Sequence, residues 1–134
     1  MTAHVSSSAE SSKAMLWTGR ILSLIPALML LFSASMKLMH GPQVVEGFKK
    51  FGYSEGVITP LGVVEILCAL LYAIPQTSVL GAILCTGYLG GAIATHVRAG
   101  EGFAAALILG VIVWAGLFLR DRRLRVLLPL RPAG

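Results

Sequence analysis

Four nearly uninterrupted apolar runs, Trp17 to Met39, Val57 to Ile74, Thr77 to Val97 and Phe103 to Leu119, take up most of this chain. A helix crosses the hydrocarbon of a bilayer with about 17 to 25 largely apolar residues, and each run approaches that length. Of 134 residues, 56% are hydrophobic and 13% charged, and the mean hydropathy is +0.82. A soluble domain of this size does not tolerate such values without aggregating, so the expected fold is an all-α integral membrane protein with four spanning helices. The PQTS link (Pro75 to Ser78) is short enough to force its flanking helices antiparallel. That makes the expected architecture an up-down-up-down four-helix bundle.

Three segments divide the chain. Residues 1–15 are Ser-rich with almost nothing to bury, and are expected to form a disordered cytoplasmic tail. Residues 16–119 hold the spans, and 120–134 a basic cytoplasmic tail. A signal peptide over Arg20 to Ser35 is the competing reading of the start; the long polar lead and the spanning length of the run argue against it. Pro26 either kinks the first helix or is accommodated by its neighbours. Between the first two spans, Val44, Val45, Phe48 and Phe51 recur at helical spacing with Glu46, Lys49 and Lys50 opposite. This suggests a short helix lying in the interface, or else a partly ordered amphipathic loop. Thr59 before Pro60 reads as the capped start of the second span.

The net charge is +5 and its distribution is informative. Arg120, Arg122, Arg123, Arg125 and Arg131 follow the last span, and Lys13 and Arg20 join them on the side of the termini; Lys49, Lys50 and Arg98 lie on the other. The positive-inside rule then predicts a multi-pass protein of the cytoplasmic membrane with both termini cytoplasmic. The basic tail is read as a topology signal in contact with anionic headgroups. Base-reading motifs and aromatic interleaving are missing from the sequence, so the bilayer and not nucleic acid is the expected partner.

Ionisable groups inside the spans carry the functional question. Around Glu65 a helical wheel gathers Leu61, Gly62, Cys68, Ala69 and Tyr72, with Val63, Leu67, Leu70, Leu71 and Ile74 behind. Around Lys37 it gathers Gly19, Ser23, Pro26, Leu30, Ser33 and Ala34. Small and polar residues are thereby separated from hydrocarbon, which turns both charges into the bundle. His96 shares a face with Cys85, Leu89 and Ala92. Helical rise places Lys37, Glu65 and His96 in one third of the bundle, with Arg98 and His40 at the rim, and side chains leaning toward their own N-termini let the three meet. A lone charge costs about 2.5 to 3.5 kcal/mol to insert, so pairing is expected. The pair is then either a structural device fixing helix register or part of a binding or proton-handling site.

Gly87, Gly91 and Ala94 form a small-residue face suited to another membrane helix, from a partner or a second copy. Cys68 and Cys85 both lie in spans; a redox pair is conceivable, but without C-x-x-C each is read as a small hydrophobe. No metal-ligand set, haem-ligand pair or nucleotide motif is present in the sequence.

As a set, FSASMKLMHGP (Phe32 to Pro42), FKKFGYSEG, TPLGVVEILCALLYAIPQT (Thr59 to Thr77) and GYLGGAIATHVRAGEG (Gly87 to Gly102) resemble the DoxX-like family of small bacterial membrane proteins. The resemblance implies a four-helix membrane fold with Lys37, Glu65 and His96 at the family's polar positions, and an association with membrane redox systems, including a thiosulfate:quinone oxidoreductase subunit. It makes an accessory subunit of a redox or quinone-linked system the leading expectation, with the polar cluster holding a quinone head group or a small oxyanion through donors on Lys37, Arg98 and His96, and Glu65 positioning or relaying a proton. Quinone is the cofactor compatible with it, and whether the chain is itself an enzyme stays open. A small proton-coupled transporter and a non-enzymatic assembly partner are the alternatives.

Overall fold

The computed structural model describes residues 2–127, and every regular element among them is a helix. In chain order these are α1 (Thr2–Leu38), α2 (Pro42–Lys50), α3 (Ile58–Ala73), α4 (Ser78–Ala99), α5 (Ala104–Arg120) and α6 (Arg122–Leu127). Short 3-10 turns, Glu55–Val57 and Pro75–Thr77, lead into α3 and α4. Three stretches are long and apolar enough to cross a membrane: Lys13–Leu38, Glu55–Ala73 and Pro75–Ala99. The fourth run falls short of them. Asp121 adopts an extended conformation and ends α5 at 17 residues, about 25 Å at 1.5 Å per residue.

Other expectations need correcting. The Ser-rich lead, expected to lack structure, is helical backbone from Thr2. Neither Gly nor Pro stands between Thr2 and Thr18, and a helix nucleated in the following apolar run extends backward at small cost per residue. Thr59 does not cap α3, which begins one residue earlier off the 3-10 turn with no side-chain cap; its hydroxyl lies instead 3.4 Å from His40 Nε2. The basic tail opens with α6, where the Asp121 carboxylate accepts from the Arg123 amide at 2.9 Å and Leu124 is buried. Arg131 lies outside the described residues.

The helix contacts close on themselves: α1 packs on α3 and α5, and α4 packs on the same two. Most of the faces drawn from the sequence hold, while Leu61, Leu71 and Ser33 are half-buried and belong clearly to neither side. α3 buries Gly62, Glu65, Cys68, Ala69 and Tyr72, while Val63, Leu67, Leu70 and Ile74 are exposed. α1 buries Gly19, Ser23, Pro26, Leu30 and Ala34, and runs through Pro26 without a break. Outward faces are hydrocarbon, with Phe32 69%, Val111 61% and Leu67 54% exposed. Surfaces this apolar are compatible with lipid contact and incompatible with water.

The two ends of this helix group differ. At the end holding the α3–α4 turn and Arg120, backbones touch, and a Cβ built on Gly19 would lie 2.6 Å from the Arg120 amide nitrogen. One on Gly81 would run into the Tyr72 backbone, and one on Gly116 would lie 2.6 Å from Ser23 Oγ. Tyr72 is wholly buried there; its hydroxyl is 2.7 Å from the Val113 carbonyl and 3.1 Å from Ser23 Oγ. Arg120 stacks its guanidinium 4.7 Å from the Tyr72 ring centre and donates to the Tyr72 carbonyl at 2.7 Å. That carbonyl belongs to the last turn of α3, where a cation is favoured and free carbonyls need donors. The opposite end, under α2 and the α4–α5 connection, is open.

Candidate functional site: a charged cavity at one end of the helices

Lys37 occupies the last turn of α1, a position favourable for a cation, and its ammonium donates to Glu65 Oε2 at 2.7 Å. A second bond, 2.7 Å to Ser33 Oγ one turn back, fixes the side chain along its own helix. Glu65 is 2% exposed and the Lys37 side chain 14%. Two opposite charges are thus held out of solvent at charge-assisted hydrogen-bond distance, and together they present no net charge. Gly62 makes the approach of α1 and α3 tight at this level, since a Cβ there would be 3.3 Å from Lys37 Cβ.

The pair lines a cavity of about 690 Å³ whose walls come from α1, α3, α4 and α5 and whose roof is Phe48, Phe51 and Tyr53. Most of its surface is hydrocarbon and aromatic ring, and the polar atoms are few. That is the usual composition of a small-molecule site. Tyr88 and His96 reach the same cavity from α4, and the phenol of Tyr88 comes within interaction range of Glu65.

His96 shares the cavity with the pair but is held by other partners. Nδ1 donates to the Ala92 carbonyl at 2.7 Å, and the ring packs on Phe51 with centroids 4.9 Å apart. With Nδ1 so committed, Nε2 is the nitrogen left to face a ligand; this tautomer is assigned from the hydrogen bond. Arg98 does not line the cavity. Its guanidinium donates to the Phe51 carbonyl at 2.7 Å, which holds the end of α2. His40 is exposed, with φ 51°, and lies outside the cavity lining.

The roof is fastened to α4. Besides Arg98 and the His96–Phe51 stack, Tyr53 donates to Thr95 Oγ1 at 2.9 Å, and Lys50 forms an ion pair with Glu101 just past the end of α4. The Lys50 ammonium holds the Glu101 carboxyl below the usual carboxylate range. Gly100, at φ 73°, ends α4 in a left-handed cap with Gly100 N–H on the Val97 carbonyl and Glu101 N–H on that of His96. This turn carries Glu101 back toward α2.

Sequence reasoning missed Tyr88 and the roof residues Tyr53 and Phe51. Tyr88 sits 80° around the wheel from His96, at the edge of the face drawn there, and the roof contacts link residues more than forty positions apart. Cys68 and Cys85 are free and buried, with Cys85 Sγ 3.6 Å from the Cys68 carbonyl oxygen, and neither lines the cavity. Gly87 and Gly91 face no atom within 4 Å of a built Cβ, and Ala94 is exposed; Gly91 also borders the cavity. Among the described residues no group of His, Cys, Asp and Glu is arranged to hold a metal ion.

A family model described as the DoxX-like family matches residues 21–117, which include Lys37, Glu65 and His96. No curated protein and no solved structure matches the chain.

Proposed function

This chain belongs to the DoxX-like family, and from that premise we propose that it is a membrane-embedded binding subunit that holds a quinone head group against the Lys37–Glu65 pair. In this reading the four apolar helices α1, α3, α4 and α5 form an up-down-up-down bundle across the cytoplasmic membrane. The end bearing Lys13, Arg20, Arg120, Arg122, Arg123 and Arg125 faces the cytoplasm, and the cavity opens toward the outer leaflet. The 17-residue α5 is accommodated by tilt of its longer neighbours or local thinning of the bilayer.

The single observation that carries the reading is a paired, net-neutral Lys37 and Glu65 on the wall of an otherwise apolar cavity. A neutral ring with carbonyl acceptors meets donors there, namely the third proton of Lys37, the Tyr88 hydroxyl and, when protonated, His96 Nε2, while its faces meet aromatic and aliphatic side chains. A net-neutral pair offers an anionic ligand no net attraction. When bound, a quinone would supply the electron chemistry that the side chains lack; the chain's own residues bind it, orient it and exclude water. Away from the pair, backbones pack closely at Gly19 and Gly81, and Gly116 packs on Ser23; this tight end supports binding over transport.

Quinone binding by the purified protein in nanodiscs is the test. Glu65→Gln should weaken binding at least tenfold while the protein still inserts as a helical, monodisperse species. Unchanged affinity in that variant contradicts the reading. The accessory role adds a partner helix on the Gly87, Gly91 and Ala94 face. Gly87→Leu, which leaves the cavity lining intact, should abolish co-purification with that partner.

A further inference from the structure

The roof of the cavity is fastened on one side. Around α2 and Tyr53, the Arg98 bond to Phe51, the Phe51–His96 stack, the Tyr53–Thr95 bond and the Lys50–Glu101 pair all reach α4 or the residues just after it. No hydrogen bond or ion pair among the described residues joins α2 to the body of α1, and α2 buries none of its own residues. Between the two helices lies a second hollow, about 360 Å³, formed by Met36 of α1 and Val44 and Gly47 of α2 together with Phe32, Ser33, Lys37, Phe48 and Phe51. The last five residues also line the main cavity.

We propose that this crevice is a lateral portal in which the hydrocarbon tail of the bound ligand lies, so that the ligand class is a neutral, hydrogen-bond-accepting head on an apolar tail, delivered from the bilayer and not from water. The argument rests on continuity. Lys37 stands at the junction of the two hollows, so a head bonded to it in the main cavity has its tail directed past Phe48 and Phe51 toward Met36, Val44 and Gly47. Phe32, 69% exposed, marks the lipid side of the opening. A tail lying there meets methyl, methylene and ring carbon instead of a polar rim, and burying it adds affinity in proportion to its apolar area. Among the described residues the polar contacts that hold α2 to the spans run to α4 or just past it, so on the α1 side α2 can lift without breaking them. Loading therefore requires no rearrangement of the pair.

This inference rests on the quinone reading above, and its test separates the two. Two probes are compared in nanodiscs of neutral lipid: a tail-less dimethoxy-methyl-benzoquinone, and the same ring carrying two isoprene units, with affinities referred to the mole fraction of each quinone in the bilayer. Wild type should bind the tailed probe at least tenfold more tightly. Gly47→Phe fills the crevice where a built Cβ meets nothing within 4 Å. It should bring the two affinities within about twofold of each other and leave the tail-less probe as in wild type. Phe32→Ala, which removes the lipid-side wall, should reduce the tail advantage and guards against misfolding of the first variant; helical content and monodispersity are checked for both. Equal affinity for the two probes in wild type, or a tail advantage that survives both substitutions, overturns the portal while the quinone reading stands. Failure of wild type to bind either probe overturns both.

Discussion

At the Arg120 end of the helices, Gly19, Gly81 and Gly116 bring backbones so near that a methyl group has no room, whereas toward the other end Gly87, Gly90 and Gly91 face no atom within 4 Å. The same residue serves opposite purposes. In the first region it permits contact in a setting where helices gain little from the hydrophobic effect and much from close packing. In the second, helix surface is left uncovered beside a cavity. The polar groups divide in the same way: Tyr72, Ser23 and Arg120 are mostly spent on backbone carbonyls at the tight end, while Lys37 and Glu65 satisfy each other and still border open space. The helices are thus locked together at one end and left hollow at the other.

The largest effect expected from breaking this contrast comes at the pair. Lys37→Met leaves Glu65 buried without its cation, and should cost about 3 to 5 kcal/mol, read as an earlier midpoint in SDS-induced unfolding. The next comes at the tight end. Gly81→Ala drives a methyl group into the Tyr72 backbone and should cost about 1 to 3 kcal/mol in the same titration. Gly90→Ala is its counterpart on an open helix face and should instead stabilise by up to about 1 kcal/mol, the helix-propensity gain with no steric term. Equal costs at Gly81 and Gly90 would erase the distinction between the ends.

The smallest effect concerns the roof. Lys50 lowers the pKa of Glu101, so the carboxyl is more acidic in the folded protein than in the unfolded chain. The contribution of this tether is fully present above the ordinary carboxylate value of about 4.3. It is lost as pH falls through the lower folded value. Protection of the amides in residues 42–53, taken relative to the intrinsic exchange rate at each pH, should therefore fall on acidification through that range in wild type. In Glu101→Gln that protection should already be low at neutral pH and change little.

Much of this was legible in the sequence, for identifiable reasons. The faces of α1 and α3 could be drawn because a helix in lipid must separate polar from apolar residues at a period of 3.6, and Glu65 and Lys37 each stood at the centre of such a face. Their meeting followed from rise per residue together with the lean of helical side chains toward their own N-termini. The rest depends on which backbone atom a side chain reaches. Arg120 carried a topology signal in the sequence, yet it also caps α3 through the Tyr72 carbonyl, and no spacing rule connects positions 72 and 120. Arg98 was placed with the cavity because of its charge and position, but the carbonyl it binds belongs to Phe51. The helical lead before Lys13 defied its Ser-rich composition because helix extension is governed by the nucleus already formed downstream.

The measurement that bears most directly on the account uses the paired variant Lys37→Met with Glu65→Leu, which removes both charges and leaves neither buried alone. Its SDS-unfolding midpoint should return close to that of wild type, while its affinity for the tailed benzoquinone falls at least tenfold. A paired variant that is as stable as wild type and binds the quinone equally well would make the ion pair a packing device and contradict the central claim.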